Sequence, residues 1–209
     1  MNYSNKTLAG ALLFIAAAQH TIAILLAQAV YPNYSTSLNY ISDLGVWGKP
    51  SAIIEDPSTI LLGLLALISV YFIHREFKNR AITAYIFLAS LGYLLAGIFP
   101  ENTFMVHGTP VIHTIGAFMV FVFWSIAAIA SYRIIRGPFK CFSVILGAVS
   151  LVALVLYFGT RPSYLGIGVG GMERMIIYPQ LIWMIAIGVN FLSSSNKDYQ
   201  IQDENLSFN

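Results

Sequence analysis

The chain has 209 residues, 57% of them hydrophobic and only 10% charged, with a formal charge of +2 and a mean hydropathy of +0.73. Soluble domains carry about 25% charged residues, so a soluble fold is excluded and a membrane-embedded bundle is indicated. The small net charge, with no basic stripe, excludes nucleic acid as a partner, and the single cysteine, Cys141, excludes an internal disulfide.

A helix that crosses a hydrocarbon core about 30 Å thick needs roughly 20 apolar residues. Six such runs fill residues 1–192 as one all-α transmembrane domain, and 193–209 reads as a polar cytoplasmic tail expected to be disordered. The first run, Leu8 to Val30, passes the small-residue stretch Ala16-Ala17-Ala18 without stopping and is too long for the core of a signal peptide. The longest connector follows, Tyr31 to Asp56, polar and aromatic. Helix two is expected over Pro57 to His74, a short span open to extension, and helix three over Ala81 to Phe99, stopped by Pro100. Helix four starts at Pro110 with Thr109 as its cap and ends near Tyr132. Helix five runs from about Lys140 to Phe158, after Gly137-Pro138, and helix six from about Gly171 to Leu192.

Lysine and arginine in short loops set the orientation. With the N-terminus inside, Lys6, Arg75, Lys78, Arg80, Arg133, Arg136, Lys140 and Lys197 are cytoplasmic, and only Lys49, Arg161 and Arg174 lie outside. Both termini are then cytoplasmic, in a plasma membrane, and the long first connector faces out. The sequon Asn33-Tyr34-Ser35 in that connector agrees with this orientation. Inner loops are short and basic. The outer ones hold Asp43, Glu55, Asp56, Glu101, His107, His113, Arg161, Glu173 and Arg174, a mixture able to supply acids, bases or ligands. A function belongs on that face.

Within the first connector, Ser35 to Gly45 reads as a short interfacial helix. Leu38, Ile41 and Leu44 share one face, and Asn39, Ser42 and Asp43 the other. That polar face meets either water or the mouth of the bundle. His113 lies about one turn inside helix four, where an ionisable group faces a cavity or a partner. It can act as base, metal ligand or carboxylate partner, or rest as a neutral interfacial histidine. Helix six opens with Gly166-Ile167-Gly168-Val169-Gly170-Gly171-Met172-Glu173-Arg174, which formally spells GxGxxG. No βαβ unit surrounds it, so a nucleotide fold is rejected. Free N–H groups there, with Arg174, suit an anion such as a lipid phosphate; the alternative is a flexible loop with Arg174 paired to a carboxylate. Tyr178 lies one turn beyond Arg174, and Pro179 predicts a kink. His20, beside Gln19 in mid-helix one, is either an intramembrane site or a hydrogen-bonded packing residue. No cofactor box and no zinc, phosphate-loop or nucleophile-elbow motif is legible, so metal and cofactor stay unassigned, as does the oligomeric state.

The stretch Asn39-Tyr40-Ile41-Ser42-Asp43-Leu44-Gly45, with Phe99-Pro100, His113 and Gly171-Met172-Glu173-Arg174, resembles the prokaryotic six-helix membrane proteins catalogued as domain of unknown function 998. That resemblance covers nearly the whole chain and implies the architecture without a reaction. More distantly, Ile41-Ser42-Asp43-x-Gly45 and His113-x-x-Gly116-Ala117 resemble the DRAM, Frag and Sfk-type six-helix family, which implies a link to lipids.

The expected function is an outward-facing polar pocket that binds or modifies membrane lipid. Asp43, His113 and Glu173 are its candidate catalytic groups, and Asn39, Ser42, Glu101, Arg174 and Tyr178 its binding groups. Two alternatives remain: a scaffold or assembly partner whose outer charges form a structural cap, and a small-solute or proton-coupled transporter using His20.

Overall fold

The structure, a computed structural model, describes residues 3–107 and 109–207; for residue 109 and residues 194–207 it describes the backbone alone. Six helices are long and apolar enough to cross a membrane: α1 (Asn5–Val30), α2 (Ala52–Phe77), α3 (Arg80–Ile98), α4 (Val111–Ala130), α5 (Phe139–Gly159) and α6 (Gly168–Ser207). The apolar span of α6 ends at Ser193. The polar tail expected after it lies outside the residues whose side chains are described. Each helix packs on its neighbours in the chain, and α6 closes the ring against α1. The protein is an all-α, polytopic membrane bundle.

Its interior is built of small residues and its perimeter of large ones. Ala9, Ala16, Ala17, Ala66, Ala89 and Ala127 are wholly buried, while Ile22, Leu25, Ile53, Val155 and Phe158 stand outward. Lipid solvates Leu as well as a protein core does, so helices associate by close approach of small side chains. Glycines do this twice in reciprocal fashion. A Cβ on Gly92 would lie 2.6 Å from the Gly116 carbonyl oxygen, and one on Gly116 would lie 2.7 Å from that of Gly92. Gly10 of α1 and Gly188 of α6 repeat the arrangement at 2.8 and 2.7 Å.

Local chemistry explains most helix ends. Ser4 caps α1 by accepting from the Thr7 N–H at 3.1 Å, and Asn79 caps α3 by accepting from Ile82 N–H at 3.2 Å. Lys78 takes a left-handed conformation (φ 51°) that stops α2, so two residues suffice to turn into α3.

Three boundaries depart from the sequence expectation. Helix α2 begins at Ala52 rather than Pro57, which draws Glu55 and Asp56 out of the connector and into the helix. Helix α4 begins at Val111 with Pro110 in the capping position, because residues 105–110 form a small hairpin of β1 (Met105–Val106) and β2 (Thr109–Pro110). The side chain of Thr109, expected to cap that helix, lies outside the described residues.

The interfacial helix over Ser35 to Gly45 shrinks to one 3₁₀ turn, Ser42–Gly45. Ile41 and Leu44 are buried as the periodicity predicts, but Leu38 is 73% exposed. The reason is side-chain competition with helical hydrogen bonding. Asn39 Oδ1 accepts from Ser35 N–H at 3.1 Å, and Asp43 Oδ2 accepts from Tyr40 N–H at 2.9 Å and Asn39 Nδ2 at 3.1 Å. These bonds fold the segment back on itself and lower it onto the bundle.

Candidate functional site

The α1–α2 connector is held against the start of α6 by Arg174. Its guanidinium donates to the carbonyl oxygens of Thr36 (2.9 Å), Asn39 (3.1 Å) and Gly170 (2.8 Å), and to the Tyr34 hydroxyl. Tyr34 in turn donates to the Tyr40 carbonyl at 2.7 Å. Burial pushes the Tyr34 phenol up to about 12, against the pull of the cation beside it, so the hydroxyl keeps its proton. Two glycines of the 166–171 stretch, Gly168 and Gly170, make room for this contact. A Cβ on Gly168 would strike Ser37, and one on Gly170 would strike the Asn39 carbonyl; Gly170 N–H instead donates to Ser37 O at 2.9 Å.

The carboxyl next to Arg174 turns the other way. Glu173 Oε2 accepts the Ile41 N–H, and its side chain enters the bundle. There it lines an inner chamber of about 70 Å³, with His20 of α1, Glu55 and Asp56 of α2, Tyr93 of α3 and His113 of α4. One water needs at least about 10–15 Å³ of such space, so the chamber has room for a few waters or one small polar group. A second space of about 190 Å³ lies beside it, and both are walled by Ser42, His113, Ala117, Phe121 and Glu173. This vestibule lies between α4 and α5. Its remaining wall includes Glu101, Phe118, Tyr157, Phe158 and Arg161. Phe118 and Phe158 are 52% and 56% exposed, so the vestibule is flanked by the lipid-facing surface. Arg161 sits over the rings of Tyr157 and Phe158, at 4.6 and 5.3 Å from their centres.

Both histidines are held in one tautomer. His113 Nδ1 faces the Ala96 and Phe99 carbonyl oxygens at 3.2 and 3.1 Å, contacts that require a proton on that nitrogen. Nε2 therefore carries the lone pair on a ring that lines both spaces. Ser58 gives its only proton to Gln19 Oε1 (2.9 Å), so His20 Nδ1, 3.0 Å from Ser58 Oγ, is the donor to it. Its Nε2 is left facing Glu55 Oε1 at 3.8 Å. Glu55 Oε1 also accepts from Thr59 at 3.4 Å, but Glu55 Oε2 has no partner. Neither has the hydroxyl of Tyr93. Both residues are only 4% exposed. An unsatisfied buried polar group costs about 1–3 kcal/mol, and such groups in native proteins call for a ligand, an ion or water. The chamber thus presents acceptors at Glu55 Oε2 and at both Nε2 atoms, beside one hydroxyl, that of Tyr93, which can donate as well as accept.

At its rim Ser42 donates to Glu101 Oε2 at 3.2 Å. Burial, and then the negative charge of Asp43 beside it, push the Glu101 carboxyl up to about 7. Among the described residues, no three of His, Cys, Asp and Glu group closely enough to hold a metal ion.

Of the residues singled out in the sequence, Ser42, Glu101, His113 and Glu173 line the paired cavities. Asp43 and Asn39 support the rim through their mutual hydrogen bond. Arg174 grips loop carbonyls with its back to the chamber, and Tyr178 lies in a groove with Thr21, Leu25 and Leu181, away from it.

A family model described as "Protein of unknown function (DUF998)" matches residues 8–190. The chain belongs to this family. No curated protein and no solved structure matches it. The matched span reaches into all six helices of this DUF998 protein and includes every residue that lines the two cavities.

Tyr93 is a site residue that the sequence does not single out, and Glu55, counted there among the outer charges, is one it places in the connector because Pro57 resembles a helix start. Yet Glu55, Ser58 and Thr59 fall at i, i+3 and i+4, a polar stripe on one helix face that continues through Pro57. That stripe was the available signal.

Proposed function

We propose that this protein binds a membrane lipid by its headgroup, in a cavity that faces the outside of the plasma membrane and opens sideways to the bilayer between α4 and α5. The observation that carries this reading is the adjacency of the two spaces, which share five lining residues. The polar chamber lies against a vestibule flanked by the exposed rings of Phe118 and Phe158, with Arg161 beside them. A polar headgroup with apolar chains matches that sequence of surfaces, since its chains remain in lipid while the head enters. The orientation rests on the excess of lysine and arginine at the opposite end of the bundle. Arg174 acts here as a positioning residue that fixes the roof of the chamber.

Transport is less well supported. Inward of His20, Leu13, Ala16, Leu62, Ala66, Ile86 and Ala89 are buried and apolar, and the buried polar groups deeper in the bundle bond to backbone (Ser69, Ser90) or to one another (Gln180, Ser125, Ser150). A second reading, chemical modification of the bound lipid, is favoured by the His113 lone pair, which lines the same chamber as Glu173 and would serve as the base.

Photoactivatable phospholipids test the binding reading. Cross-links are expected to concentrate on the peptides around residues 114–121 and 154–161. Ala117→Phe, which fills the shared wall, should reduce them about tenfold, the effect of roughly 1.4 kcal/mol. Cross-links spread evenly over all six helices, unaltered by Ala117→Phe, would contradict it.

A further inference from the structure

We propose that the headgroup carries a primary ammonium, so that the bound lipid is an aminophospholipid, with Glu55 as the partner of the ammonium and Arg161 as the partner of the phosphate. This rests on the lipid-binding reading and adds its chemical class.

The inference comes from matching donors to acceptors. Around the chamber, Glu55 Oε2 and the Tyr93 hydroxyl are buried without partners, and the rings of His20 and His113 each keep an Nε2 lone pair. Both tautomers are fixed from outside the chamber, by Ser58 in one case and by the end of α3 in the other. Three of these four groups accept only, and the Tyr93 hydroxyl can accept as well as donate, so a compact donor is what the chamber lacks. A primary ammonium has three N–H donors and no acceptor. It would also bring a positive charge to a chamber walled by three carboxyl groups, those of Glu55, Asp56 and Glu173. A quaternary ammonium has no N–H to give, and would leave the Glu55 and Tyr93 atoms as they are. A bare phosphate would set its own oxygens against these acceptors. A metal ion would need three ligating side chains in one group, which the described residues do not provide.

The other charge of such a headgroup also has a place. Arg161 lines the vestibule that shares its wall with the chamber, and its guanidinium is exposed and without a carboxylate partner among the described residues. Entering between Phe118 and Phe158, a phosphate would reach Arg161 while the ammonium reached the chamber. Arg174, the other cation near this end, spends both Nη groups on the Thr36, Asn39 and Gly170 carbonyls and the Tyr34 hydroxyl, and its remaining Nε–H is buried.

The test uses the full chain in detergent, equilibrated with mixed vesicles of phosphatidylethanolamine and phosphatidylglycerol in equal amounts, with retained lipid counted by native mass spectrometry. The wild type is expected to retain phosphatidylethanolamine over phosphatidylglycerol by about tenfold. Glu55→Gln should bring that ratio close to one while total retained lipid stays the same. Tyr93→Phe, which removes only the hydroxyl, should lower the ratio in the same direction, and protects the test should Glu55→Gln fold poorly. Arg161→Gln should reduce both lipids alike, because both carry the phosphate. Equal retention of the two lipids by the wild type overturns the headgroup assignment and leaves lipid binding standing. No retained lipid in the wild type, with O-phosphoethanolamine bound instead, overturns lipid binding and leaves the headgroup chemistry standing. A stoichiometric divalent metal in the purified protein overturns the ammonium assignment.

Discussion

Glu101 and Asp43 place two carboxyl groups side by side at the rim of the site, and the geometry has a pH signature. Burial and the neighbouring charge raise the Glu101 carboxyl from its ordinary value of 4.5 to about 7. The folded protein therefore binds this proton more tightly than the unfolded chain does. Between those two values stability falls as pH rises, since the native state holds more protons than the unfolded one. Glu101→Gln removes the ionisation. In chemical unfolding of the detergent-solubilised protein, it should gain about 1 kcal/mol over the wild type on going from pH 4.5 to pH 8, a value discounted for partial exposure. A constant difference across that range would mean that the two carboxyls do not share a desolvated site. The residues of this rim were legible because charge is scarce in the chain, so that Asp43, Glu101, His113 and Glu173 stand out individually. Arg174 was equally visible, but its target was not. Its partners are backbone carbonyls, and a sequence contains no mark of which carbonyls a loop turns inward.

At the level of elements, each cavity wall depends on helices approaching closer than ordinary side chains permit. Gly92 and Gly116 meet where α3 packs on α4, within three residues of Tyr93 and His113. A side chain at Gly92 would press on the Gly116 carbonyl and the Val120 N–H, backbone atoms that cannot rotate away. Gly92→Val should therefore cost about 1–3 kcal/mol by thermal unfolding in detergent, while Gly159→Val, where an added Cβ meets nothing within 4 Å, should change stability little. Equal effects at the two positions would remove the close approach as an explanation. The six helices themselves were legible from hydropathy, and five of their starts fall within three residues of expectation. The start of α2 was not, because Pro57 is tolerated inside the first turns of a helix that has already begun at Ala52. The connector helix failed for the opposite reason. Apolar spacing at Leu38, Ile41 and Leu44 is genuine, but Asn39 and Asp43 offer the backbone competing partners that periodicity does not weigh.

For the whole molecule, the ring of six helices leaves one end open enough to admit a connector, and that connector, pinned by Arg174 and seated on glycines, roofs a chamber built by α1, α2, α3, α4 and α6. On the proposed reading, the vestibule between α4 and α5 is what makes the chamber reachable from lipid. A structure of the protein in nanodiscs containing phosphatidylethanolamine addresses this directly. It should show a headgroup with its ammonium at Glu55 and Tyr93, its phosphate near Arg161, and acyl chains leaving between Phe118 and Phe158. A chamber holding only water, with lipid chains no better ordered at that opening than elsewhere around the bundle, would contradict the account.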